Sequence, residues 1–172
     1  MFREAASIGG LELMLVYYRG LGECVQTEWT TNPEQLLRTM QKVQCESGQT
    51  QIEQILTRAI GETIRRSVNA LIFVGDAMEE DRTTLVGKAS DLGALGVPAF
   101  MFQEGQDSWV ERVFRDIALA SKGAYARFDA GAGKRLGELL RAVAAYAAGG
   151  AKALEGRKDE ASKLLIEQMK RA

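Results

Sequence analysis

A chain of 172 residues with 46% hydrophobic and 26% charged content has the size and composition of a single folded domain with its own core. Its 22 Lys and Arg against 23 Asp and Glu leave a formal net charge of −1, so no global field draws it to nucleic acid or to an anionic membrane. Histidine is absent, which excludes imidazole general bases, His-based triads and His-ligated zinc, and leaves Mg²⁺, Mn²⁺ or Ca²⁺ on oxygen ligands as the metal chemistry open to it.

No apolar run approaches the ~20 residues that cross a bilayer, and the opening "MFREAASIGG" lacks a signal-peptide core, so a cytoplasmic address is expected. Cys24 and Cys45 match no zinc or redox spacing and read as free thiols.

In chain order, "LELMLVYYRG" (11–20) is a short apolar run closed by Gly20, a buried-strand pattern. "CVQTEWT" (24–30) alternates Val25, Thr27 and Trp29 with Gln26 and Glu28, predicting a half-exposed edge strand antiparallel to the first across the Gly20–Gly22 turn. "NPEQLLRTMQKV" opens a helix with Asn32 as N-cap and Pro33 at the first helical position. After a Ser-Gly break, Ile52, Ile55, Leu56, Ala59 and Ile60 mark a second amphipathic helix starting near Thr50.

"LIFVG" within 69–75 is apolar on both faces, as expected at the centre of a parallel sheet, and ends at Asp76. A helix closed by Gly96, the strand "VPAFMF", and a helix over "DSWVERVFRDIALASKG" with Gly123 as its C-terminal glycine follow. "AYARF" is a last short strand, residues 125–146 an Ala- and Leu-rich helix, and 157–172 a charged terminal helix whose Ala161, Leu164, Leu165 and Met169 suit docking on the body, the commoner case, or on a second subunit. Trp29, Tyr17, Tyr18 and Phe100 read as sheet core, and Trp109 as a partial cover on the "QEGQDS" loop.

Alternating strands and helices predict an α/β fold: a doubly wound, mostly parallel Rossmann-like sheet with one antiparallel edge strand and helices on both faces, forming one domain over 1–172. Ligands in such folds gather beyond the carboxyl ends of the strands, where Asp76 falls. A strand-end Asp also serves as a turn former or helix cap.

"SGQTQIEQIL", then "LIFVGDAMEE", then "LGALGVPAFMF" together resemble the von Willebrand factor type A domain over residues 1 to 146, of the intracellular bacterial type. The resemblance implies a metal-ion-dependent adhesion site in which Thr50 matches the threonine ligand and Asp76 the last aspartate. Ser47 and Gly48 would shape the threonine loop. The family's Asp-x-Ser-x-Ser motif occurs nowhere in the chain. The expectation is therefore that Met1 is an internal start or a boundary and that the central strand carrying most of the ligands is missing. Mg²⁺ or Mn²⁺ binding should then be weak, and the strands at 12–18 and 69–75 should lack the neighbour between them. Either they pair directly, or another chain fills the gap and the protein self-associates through sheet edges.

The function implied is non-catalytic protein interaction, with a AAA+ ATPase as the kind of partner the resemblance suggests. The alternative is a small metal-assisted hydrolase or phosphate-binding domain using Asp76, Glu79, Glu80 and Asp81. Those same acids better suit a solvated helix N-terminus, where carboxylates oppose the positive end of the dipole, since no P-loop or G-x-G-x-x-G accompanies them.

Overall fold

In a computed structural model, residues 11–20, 22–43, 48–129 and 132–171 are described, and they form an α/β fold with two sheets. Strands β1 (Val16–Arg19) and β2 (Glu23–Gln26) form an antiparallel hairpin. A separate three-stranded parallel sheet has the order β3-β4-β5, from β3 (Leu71–Gly75), β4 (Ala99–Glu104) and β5 (Ala124–Phe128). The helices are α1 (Pro33–Lys42), α2 (Ile52–Arg65), α3 (Arg82–Ala94), α4 (Ser108–Ala120), α5 (Gly133–Glu155) and α6 (Glu160–Met169).

The helices begin where short acceptor side chains dictate. Asn32, Asp81, Asp107 and Asp159 each accept the backbone N–H groups of the first turn of α1, α3, α4 and α6. Helix α2 has Gln51 at this position, with no side-chain cap of its own.

Successive side chains of the parallel sheet alternate between two cores. Phe73, Met101 and Tyr125 pack against α2, α3 and α4 through residues such as Leu56, Leu92 and Phe114. Phe100, Phe102 and Ala126 pack against α5 and α6 through Leu139, Leu140 and Leu165. Helices thus cover both faces. A side chain as fully buried as Phe114 or Leu140 contributes about 1.5–3 kcal/mol of hydrophobic stabilisation.

Several expectations are corrected. The strand 69–75 is not at the centre of its sheet: β3 is an edge strand, because no described strand lies on its other side. Nor do 12–18 and 69–75 pair directly, and the hairpin's second strand ends at Gln26, with an isolated bridge between Leu13 and Thr30 beyond it. The long helix begins at Gly133 rather than within β5 and continues past 146 to Glu155, with a kink where Gly150 adopts φ 66°. Cys24 is a free thiol, while Cys45 and Ser47 lie outside the described residues.

The C-terminal glycines divide into two cases. Gly96 has φ 79° and closes α3 in a Schellman arrangement, its N–H donating to the Gly93 carbonyl and that of Val97 to Leu92. At the end of α4 the left-handed residue is Lys122, at φ 60°, not Gly123. Gly123 follows it and donates to the Ala118 carbonyl.

Candidate functional site

Three segments converge at the carboxyl end of β3. Gly48 lies backbone to backbone on the Gly20 turn, so tightly that a Cβ would fall 1.9 Å from the Gly20 carbonyl oxygen. The next residues engage the loop after β3. Thr50 donates its N–H to Glu79 Oε2 at 3.0 Å, and the Glu79 N–H returns to Thr50 Oγ1 at 3.3 Å. Glu80 takes the Ile52 N–H on Oε1 and the Glu53 N–H on Oε2, the latter at 2.9 Å. A carboxylate from another element therefore supplies the cap that Gln51 does not, at the positive end of the α2 dipole. Asp81 completes the run by accepting the Thr84 N–H at the start of α3.

The residues expected to bind metal are thus gathered but differently employed. Thr50 and Asp76 both stand at the mouth of β3, yet the Thr50 hydroxyl is bonded by Glu79, and Glu79 and Glu80 hold backbone N–H groups. Asp76 is exposed, with no hydrogen bond to the described residues. One free carboxylate beside one engaged hydroxyl does not fit a tightly held divalent ion, which takes several oxygen ligands. Among the described residues no three His, Cys, Asp or Glu side chains stand together as a metal cage.

Tyr18 completes the mouth. Its ring stacks on Phe73 at 6.4 Å between centroids. Burial, and then the carboxylates of Glu80, Asp76 and Glu79, push its phenol from 10.0 up to about 12. An unfolded tyrosine ionises first, so the stability this neutral phenol contributes is whole below pH 10 and drains as pH rises toward 12. Burial raises Tyr125 and Tyr146 in the same direction. Urea unfolding at stepped alkaline pH should show this decline, and Tyr18→Phe should make it shallower; an unchanged slope would remove Tyr18 as its source.

The second feature is the side of β3 itself. Leu71 donates its N–H to the Pro98 carbonyl, so the alternate residues 71, 73 and 75 direct their backbone groups to β4. Those of Ile72 and Val74 face the open side, and their side chains are 36% and 41% exposed. Beside Ile72, at the start of the strand, lies a cleft of about 250 Å³ lined by Leu13, Trp29, Ile72, Leu140, Val143 and Ala147, among others. Arg66 lines the cleft near the start of β3, with its guanidinium 4.3 Å from the centroid of Trp29 and paired to Glu12. Its Nε is buried with no acceptor among the described residues. Trp29 is held by donating Nε1–H to Glu62 Oε2 at 3.1 Å.

Comparison with protein-family models, with curated proteins and with solved structures finds no match to this chain. No helix among the described residues is long and apolar enough to cross a membrane.

Sequence reasoning missed two contributors here. Glu80 as the cap of α2 had one signal, the lack of an Asx, Ser or Thr at position 51 before a strongly periodic helix. Arg66 had none, since its partners Trp29 and Glu12 are distant in the chain.

Proposed function

We propose that this chain is a non-catalytic protein-interaction domain of von Willebrand factor A character, whose sheet is completed by a strand from outside. The observation that carries the reading is the edge of β3 that no described strand pairs, apolar on both faces and bordered by an apolar cleft. Such edges template pairing with other chains. A strand laid beside β3 would bring hairpin and parallel sheet into one doubly wound, Rossmann-like sheet with β2 as its antiparallel edge. Thr50 and Asp76 are, on this reading, the remaining corner of an incomplete metal site that holds Mg²⁺ or Mn²⁺ weakly. A cytoplasmic AAA+ ATPase is the partner type the resemblance suggests. A hydrolase built on Asp76, Glu79, Glu80 and Asp81 is the weaker reading, because three of those carboxylates accept helix N–H or loop N–H groups.

Light scattering across a wide concentration range tests the reading. An unoccupied edge should self-associate, so the mass should rise with concentration and fall to that of the monomer in Val74→Lys, a charge that blunts edge pairing. A monomer mass at every concentration would count against self-pairing through this edge.

A further inference from the structure

The molecule treats the two edges of its parallel sheet differently. At β5 the Gln168 side chain of α6 imitates a neighbouring strand: Oε1 accepts the Tyr125 N–H at 2.9 Å and Nε2–H donates to the Tyr125 carbonyl at 2.8 Å. At Tyr125 that edge is covered by the chain itself. At β3 no described group takes this part, and the two ends of the open edge differ in what they offer a ligand. Near its start lies Arg66, whose Nε is a buried donor without an acceptor among the described residues. At its finish Asp76 and Glu79 are exposed and form no ion pair among the described residues.

We infer that the β3 edge binds a single extended segment of a partner protein, apolar on both faces over about the five residues of β3, with Lys or Arg where it emerges beside Asp76 and Glu79. This names the ligand of the interaction reading above and rests on it. The outward backbone groups of Ile72 and Val74 require an extended chain as the ligand. Its side chains on one face meet the α5 wall at Leu140, Val143 and Ala147, and those on the other lie toward the Phe73 and Tyr18 core. A backbone carbonyl of the segment satisfies the Arg66 Nε. The basic end answers the unpaired carboxylates, which repel an acidic one. A second copy of this chain is the poorer occupant, because its β3 arrives flanked by β4 and the helices that cover it, whereas a lone strand fits between walls.

The cleft contains its own reporter in Trp29. In a Trp109→Phe chain, Trp29 is the remaining tryptophan, and its emission can be followed while a synthetic peptide of Val and Ile ending in Lys-Arg is added. Deuterium exchange is read in parallel at the amides of 72 and 74. The expected result is a saturable blue shift, slowed exchange at both amides, and dissolution of any self-association. A matched peptide ending in Glu-Glu should bind roughly tenfold more weakly. Val74→Pro, which removes an N–H that only an added strand would use, should abolish binding while the fold, checked by circular dichroism, stays intact.

Equal binding of the two peptides overturns the inference, as does slowed exchange confined to other segments. If the peptide changes nothing in a chain that still self-associates through residue 74, the occupant is a second copy; the inference fails and the interaction reading stands. If there is neither self-association nor peptide binding, both fail.

Discussion

Gly123→Ala should cost about 3 kcal/mol, a large fraction of the stability of a domain of this size. The reason is space rather than backbone conformation. A Cβ at 123 would fall 2.0 Å from the Ala99 carbonyl oxygen and 2.6 Å from its carbonyl carbon, atoms of the first residue of β4 that cannot swing aside like a side chain. The junction is fixed from a second direction, since the buried Ser121 hydroxyl takes the Ala99 N–H at 3.0 Å and donates into the last turn of α4. Pushing 123 away therefore strains this bond as well as the sheet register between β4 and β5. Gly96→Ala is the control. Nothing lies within 4 Å of its Cβ position, so only its φ of 79° opposes the change, and about 1 kcal/mol is expected. Thermal unfolding of both variants separates the two causes, and equal losses would refute the steric account.

That contrast also shows how far sequence alone reaches. Short-range signals were legible: Asn32 before Pro33 and Gly96 after α3 both act where the pattern placed them. Gly123 was legible as a helix-end glycine, but its reason was not, because the atom it avoids belongs to a strand more than twenty residues earlier. β3 misled for a related cause. "LIFVG" has the doubly apolar pattern of a central strand, and composition cannot distinguish a strand with two neighbours from one with a neighbour on only one side. The Gln168 clamp on Tyr125 is equally invisible, since a polar residue on an amphipathic helix reads as solvated.

The candidate site divides the same way. Asp76 was placed at the end of the sheet from its position after a strand and Thr50 at a helix entrance, while only the resemblance set the two together; both stand at the mouth of β3. What sequence could not show is that the hydroxyl and carboxylates around Asp76 are bonded to backbone groups of other segments. The acidic run was expected to face the helix that follows it. Asp81 does so, whereas Glu80 faces α2, which precedes it.

Glu80→Ala is the variant that decides what this acidic run is for. The half-buried carboxylate bonds two N–H groups of a helix that has no other side-chain cap, so its removal should destabilise the fold by about 2–3 kcal/mol, near the upper range for charge-assisted and capping bonds. Glu80→Gln keeps an acceptor but not the charge, and should lose roughly half as much. Glu79→Ala should lose less, since the exposed Glu79 carboxylate holds a single N–H outside the helix. Urea denaturation followed by circular dichroism ranks the three variants. A reacting or metal-binding acid would give the opposite pattern, with stability unchanged or increased when a carboxylate held for chemistry is removed. The expected order, Ala at 80 worst, Gln at 80 next and Ala at 79 mildest, would make the loop after β3 a brace. It holds α2 and the Gly20 turn in place, and with them the hairpin wall that faces the open edge.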